Sequence, residues 1–359
     1  MKERHKIFFL ASAASIHTFK WLEIVSLNSS YSVYLITIHD IKFNFNKNIR
    51  VIKLPISGPF GYIFNYFHLK KILKLESPYL IHSFYASGYG FMGLICNYKR
   101  FLVSVWGSDI LLFPQKSFIH KQLINFVFKF SHAICSTSIC MINEIKLLGD
   151  YSSKIYHIPF GVNTENFVKK RVDNNSNFIV IGTVKSLEYV YGIDIMIITF
   201  AQLIRLTNIP LKLFIYGSGS QEVELKLLIK NLCLEEFIYL KGVIINDDVP
   251  KVLNSFDIFF ALSRSESFGV SVLEALSCGL PVVCSKAAGF VELITNRENG
   301  ILVDIDNISD IVEKILELIS SRGLREELGR NGINFVQNNY SHLLFRDNIL
   351  NFYNKQISN

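Results

Sequence analysis

Apolar residues along this chain gather in short unbroken runs, separated by stretches whose apolar positions return at helical spacing. In the first half the runs fall at 6–11, 31–38, 51–54, 79–83, 101–105, 133–136 and 154–158, and 15–27 reads as a helix. Short runs without polar alternation are strands buried on both faces. With helices between them, they predict a parallel sheet covered on each side. Around 167–177 the chain turns polar, with Lys169, Lys170, Arg171, Asp173, Asn174 and Asn175, and reads as a linker.

The pattern then restarts. Strands are expected at 178–182, 211–217, 238–240, 256–262 and 281–284, and helices at 193–206, 222–231 and 271–278. Ser309 is placed to cap a helix over 310–320, and a last helix at 343–353 has room to cross back to the first domain. The expected fold is α/β: two Rossmann-like domains facing across a cleft. Residues 1–165 form the first domain, 166–340 the second, and 341–359 the returning helix. Ligands of such sheets bind beyond the carboxyl ends of the strands.

Composition narrows the partners. The 359 residues are 50% apolar and 19% charged, too apolar for disorder and long enough for two cores. The net charge of +7 is unevenly placed: 1–165 holds 18 Lys and Arg against 8 Asp and Glu, and 166–359 holds 19 against 22. A basic first half suits an anionic partner such as an anionic membrane face, a phosphorylated lipid or nucleic acid; the plainer alternative is solvated surface lysine. No stacking-aromatic motif accompanies the basic residues, which argues against nucleic acid.

The stretch 77–98 lacks charged residues but carries Pro78, His82 and three glycines, a poor membrane span, so any membrane contact is expected to be peripheral. A basic start followed by apolar 7–14 has the look of a short signal peptide and reads equally as a first strand. The six cysteines form no CxxC or ligand array, which predicts buried free thiols, a reducing cytoplasmic compartment and no structural zinc.

The segment richest in chemistry is 263–289, SRSESFGVSVLEALSCGLPVVCSKAAG. A strand ends near Ser263 and a helix starts near Gly269, whose first N–H groups can hold a phosphate. Glu266 lies in the loop before that helix, and Glu274, eight residues on, lies about one turn inside it. Taken as two isolated carboxylates, they read as surface glutamates. The surrounding string changes that reading, because it resembles the EX7E signature of the GT-B glycosyltransferases of family 4, the group 1 glycosyltransferases.

The resemblance runs along nearly the whole chain. The run 158–167, IPFGVNTENF, is similar to the family's inter-domain IPNGVD segment, with Asn163 in place of Asp. Phe214 to Gly219, through Gly217, is similar to its V-x-G-x-G strand end. Gly279, Pro281, Gly289, Glu292, Gly300, the run 328–332 and Tyr340 continue the match. Ser15, His17, Trp21, His82 and the Trp106-Gly-Ser-Asp109 string look like acceptor-domain motifs of polysaccharide- and lipopolysaccharide-making members.

The resemblance implies that Glu266 contacts the donor sugar and supports charge at the anomeric centre. It also implies that Glu274 binds the nucleotide ribose and that Phe268, Gly269 and Val270 bring N–H groups to the diphosphate. Ser15, His17, His82 and Trp106 are assigned to the acceptor. The implied activity is retaining transfer of a hexose from a nucleotide-diphospho-sugar to a glycan or lipid-linked acceptor, peripheral on the inner face of the cytoplasmic membrane. No cofactor or metal is expected, and Asp304-Ile-Asp306 reads as loop and cap rather than a metal motif.

Two departures stand out. Tyr191 sits where the family has a diphosphate-binding Lys, leaving Lys185 as one cation and Arg264 as the candidate for the other; Lys185 also reads as a plain loop lysine. Trp106 stands where many relatives have His, so Asp109 either acts near the acceptor hydroxyl or caps a helix. His17 and His82 are further candidates. Two rival functions remain: a nucleotide-sugar 2-epimerase, which turns over without acceptor, and a non-catalytic glycan-binding relic, which binds donor without transfer. Glu222 occupies the last Gly position of a GxGxxG-like run at 217–222, which argues against a dinucleotide dehydrogenase.

Overall fold

The structure is a computed structural model that describes residues 4–170 and 178–358. The chain divides into two compact units, Met1–Pro159 with Phe345–Asn359, and Phe160–Leu344. The core of the expected linker, 171–177, lies outside the described residues.

The first unit is built on seven strands: β1 (His5–Leu10), β2 (Tyr31–Thr37), β3 (Ile49–Lys53), β4 (Leu80–Phe84), β5 (Phe101–Val105), β6 (Ala133–Ser136) and β7 (Ile155–His157). They lie in the order β3-β2-β1-β4-β5-β6-β7, all parallel among the described residues. The run that resembled a signal peptide is β1, in the middle of this sheet, with Ile7, Phe8, Phe9 and Leu10 fully buried. Strands β4, β5 and β6 are buried at every position, as their unbroken apolar runs require. The last helix, His342–Ser358, is longer than expected, and from Phe345 onward it belongs to this unit. Its Tyr353 accepts a hydrogen bond from Trp21 Nε1 at 3.0 Å.

The second unit repeats the plan with β8 (Ile179–Val184), β9 (Leu211–Tyr216), β10 (Ile238–Gly242), β11 (Ile258–Ala261), β12 (Val282–Ser285) and β13 (Ile301–Val303). Their order is β10-β9-β8-β11-β12-β13, again parallel. Strand order reverses between β8 and β11, and the crevice at such a switch point is where α/β sheets take ligands. Apolar side chains of one sheet face, Ile181, Leu213, Ile258, Phe260 and Val283 among them, pack with those of the helix Ile193–Leu206 into one core cluster.

Some local expectations shift. Asn307, not Ser309, caps the helix Ile308–Ser320, because the Asn307 side chain accepts from Asp310 N. Four cysteines are buried, but Cys233 is exposed just beyond the helix Glu222–Asn231. Among the described residues no helix is long and apolar enough to cross a membrane.

Candidate functional site

In the second unit, loops after β8, β9 and β11 converge at the carboxyl ends. Gly217 has φ +141, and a Cβ there would lie 1.9 Å from Lys185 O. A Cβ on Gly219 would lie 2.3 Å from Leu187 O. The two loops are joined by Leu187 N to Ser218 O (3.0 Å) and Lys185 N to Tyr216 O (2.9 Å). Gly217 therefore acts through close backbone approach: it lets the β9 loop lie against Lys185.

Glu266 sits in the third loop. Gly289 N donates to its carbonyl at 3.0 Å, and a Cβ on Gly289 would meet Phe268 N at 2.5 Å. Gly269, at φ +102, turns the chain into the eight-residue helix Val270–Ser277. Phe268 is turned inward, edge-on to Phe160 and Tyr340, so only its backbone is placed to meet a ligand. The first N–H groups of this helix have no intrahelical acceptor and carry the positive end of its dipole. Glu274 is the helix's fifth residue and partly exposed; its carbonyl accepts from Cys278 N at 3.1 Å.

The charges here are paired. Lys185 Nζ donates to Glu266 Oε2 at 2.5 Å, with both side chains largely buried. The Lys185 ammonium also stands over the Tyr191 ring, 4.3 Å from its centroid. Glu266 Oε1 accepts from Ser267 N at 3.2 Å. Arg264 is committed elsewhere: Nη1 and Nη2 reach Asp194 Oδ1 and Oδ2 at 2.9 and 2.6 Å, Nη1 also donates to Tyr189 O, and the guanidinium lies 3.8 Å from the Tyr189 ring centroid. A cation held by a two-point carboxylate clamp ties down the loop 189–194.

The acceptor candidates lie in the first unit, where the His17 and Trp106 rings meet. Trp106 follows β5, and its ring packs on Phe84 at 4.4 Å, with Tyr85 and His17 edge-on at 5.5 and 6.0 Å. Ser15 caps the helix Ile16–Ser26, accepting from Thr18 N at 3.4 Å. Burial, helped by Lys20, pushes the His17 pKa down to about 4.

Asp109, expected either near an acceptor hydroxyl or as a cap, has backbone partners. It is buried, with Oδ2 accepting from Ala86 N at 2.7 Å and Oδ1 from Trp106 N and Gly107 N at 3.2 and 3.0 Å. Burial raises its pKa, opposed by these donors. The carboxylate accepts from backbone and ties the loop after β4 to the loop after β5. His82 differs from expectation. It lies within β4, fully buried, with Nδ1 bonded to Tyr353 Oη at 2.6 Å and Nε2 to Ser104 Oγ at 2.9 Å. Burial pushes its pKa down to about 3, so the ring is neutral and belongs to the core.

Three residues escaped the sequence reading. Asp194 and Tyr189 hold Arg264, and Tyr85, at φ +68, bends the chain beside Trp106. A left-handed conformation at a non-glycine residue is uncommon, and no residue type announces it. Among the described residues no three His, Cys, Asp or Glu side chains form a metal-ligand group; Asp304 Oδ1 accepts from Asp306 N in a turn.

Two Rossmann-like units, one with glycine-moulded loops and a helix start at its switch point, give the two-domain α/β plan of the GT-B glycosyltransferase fold. The comparisons agree. Residues 164–335 match the model of glycosyl transferases group 1, and residues 6–138 match the glycosyl transferase 4-like model. The chain belongs to the group 1 glycosyltransferases.

It is 29% identical over 311 residues to an uncharacterized glycosyltransferase of Methanocaldococcus jannaschii, covering 84% of each chain. It is 28% identical to a capsular polysaccharide biosynthesis glycosyltransferase of Staphylococcus aureus, over 62% of this chain and 58% of that one. HepE of Anabaena, solved in complex with UDP-glucose, shares the fold with a TM-score of 0.81 at 18% identity, over 98% of this chain and 99% of that chain.

Proposed function

We propose that this chain is a retaining hexosyltransferase that moves a sugar from a nucleotide-diphospho-sugar to a glycan or lipid-linked acceptor in cell-surface polysaccharide biosynthesis. The observation that carries the reading is the Lys185–Glu266 pair beside the Gly269 helix start at the β8/β11 switch point. The UDP-glucose bound by HepE and the capsular role named for the Staphylococcus aureus relative support the donor and acceptor classes.

In this proposal the diphosphate rests on the N–H groups of 268–270 and on Lys185, and Glu274 takes the ribose. Charge leaving with the diphosphate is met by groups already in place, which is where a preorganised site gains most. Glu266, held by Lys185 and Ser267 N, faces the anomeric carbon, where positive charge grows. The first unit, around Ser15, His17 and Trp106, takes the acceptor. Lys185 and the helix N–H groups supply the positive charge in this scheme, with no cofactor or metal invoked. The enzyme works in the cytoplasm, peripheral on the inner membrane face.

The test has two stages. A thermal-shift screen of nucleoside diphosphates and their sugars finds the donor, since a bound ligand raises stability by mass action. NMR of the product then reads the anomeric configuration, which should match that of the donor. Inversion overturns the retaining reading, and turnover without acceptor selects the epimerase. Donor binding with neither transfer nor turnover selects the relic.

A further inference from the structure

The helix Phe118–Phe130 is apolar on two sides. Ile124, Val127 and Phe128 point into the core of the first unit. The opposite face carries Phe118, Ile119, Phe126 and Phe130, with Phe118 and Ile119 74% and 75% exposed. The rings of Phe126 and Phe130 lie parallel at 6.5 Å, and Lys129 sits beside Phe130. A helix that buries one apolar face ordinarily turns a polar face to water.

A second stripe has the same character. Phe60, Ile63, Phe64 and Phe67 are exposed along the one-turn helix Gly61–Phe64 and the start of the helix Tyr66–Glu76, with Phe67 79% exposed. Exposed Lys71 and Lys74 follow on the same helix. Both stripes belong to one helical layer, because Gly61–Phe64, Tyr66–Glu76 and Phe118–Phe130 each pack against the helix Gly88–Cys96. The segments 41–75 and 110–143 contain no Asp or Glu. The acid that ends the second stripe, Glu76, is taken by Lys6 and Arg50.

We infer that this helical face docks on the surface of an anionic bilayer, with its phenylalanines at the boundary of headgroups and acyl chains and its lysines on lipid phosphates. Charge complementarity selects the occupant. Protein interfaces deplete lysine near their apolar core, whereas amphipathic membrane-surface helices combine lysine with phenylalanine. An anionic leaflet also attracts each nearby lysine. The inference deepens the membrane part of the proposed function and rests on it only there: lipid binding is read without turnover, so its failure leaves sugar transfer standing.

The test is co-sedimentation of the full chain with vesicles of phosphatidylcholine, with and without phosphatidylglycerol. The expected result is binding to the anionic vesicles only. The triple variant Phe67→Ser/Phe126→Ser/Phe130→Ser and the variant Lys71→Glu/Lys74→Glu should each bind at least about tenfold more weakly, with unchanged thermal melts, because exposed side chains contribute little to folding. Phe130→Trp adds a direct reading. Trp21 and Trp106 are buried, so the indole introduced by that substitution supplies the exposed fluorescence, and its quenching by brominated acyl chains reports insertion.

Undiminished vesicle binding by the triple variant, or no quenching in Phe130→Trp, overturns the proposal. So does a lipid-free dimer that the triple variant abolishes, which would give this face to a second copy of the chain.

Discussion

Lys185 and Glu266 are 81 residues apart in sequence and 2.5 Å apart at the switch point of the second sheet. The ammonium also lies over Tyr191. Lys185 therefore has two partners, and under the proposed function a donor diphosphate would join them. Glu266→Gln removes one partner and keeps the shape. It should lower kcat on the order of 10²–10³-fold, the range for one preorganised electrostatic group, with KM for the donor little changed. UDP affinity, read by calorimetry, should hold or tighten as Lys185 is released. Lys185→Met should instead weaken UDP by roughly 1.5–3 kcal/mol, a lost hydrogen bond to a charged group. Equal UDP affinity in Lys185→Met and the parent removes Lys185 from the diphosphate site.

Tyr191 stands where the resemblance calls for a second cation. Its ring holds the first cation instead, a contact worth about 0.5–2 kcal/mol. Tyr191→Phe keeps the ring and should keep UDP affinity, whereas Tyr191→Leu should weaken it by a few-fold or more. If Tyr191→Phe loses as much as Tyr191→Leu, the hydroxyl and not the ring face is responsible.

The sheets were legible because strands such as β5 and β12 are apolar at nearly every position, a pattern that only two-sided burial explains. The helix Phe118–Phe130 was not. Its apolar residues fall on the exposed side as well as the core side, so the usual single apolar stripe is missing. In the site, the spacing of Glu266 and Glu274 was visible, as was the glycine at 269. The pairing of Lys185 with Glu266 and of Arg264 with Asp194 was not, because one sequence carries no record of which distant charges meet. Asp109 was ambiguous for the same reason: the N–H that decides its role belongs to Ala86, across a different loop.

His82 makes stability depend on pH. Its folded pKa, about 3, lies below the ordinary value of 6.5. The unfolded chain therefore binds the proton more readily. The contribution is fully present above pH 6.5 and is lost as pH falls toward 3, at up to about 1.4 kcal/mol per pH unit for one proton. His17, lowered to about 4, adds in the same direction. Urea unfolding between pH 7 and 5 should show stability falling with pH. In His82→Gln the slope should be shallower by close to one proton. An unchanged slope means that His82 is already protonated in the folded chain or does not unfold with the rest.

Asp109 is the residue on which the reading of the first unit turns. Its two carboxylate oxygens accept from Ala86 N, Trp106 N and Gly107 N, and so join the ends of β4 and β5. Asp109→Asn keeps the volume but turns one acceptor into an NH₂ donor. Whichever way the amide sits, at least one of those buried N–H groups then faces another donor. The cost of such an orphaned group is about 1–3 kcal/mol, to be read as a lower urea midpoint with unchanged m-value. UDP affinity should not move, because the proposed donor groups lie in the other unit. The two roles separate in kinetics. A holder of loops should raise KM for the acceptor and leave a residual kcat that still follows the acceptor hydroxyl's reactivity. A general base would give a collapsed kcat with parent-like stability, and that result would return Asp109 to the chemistry.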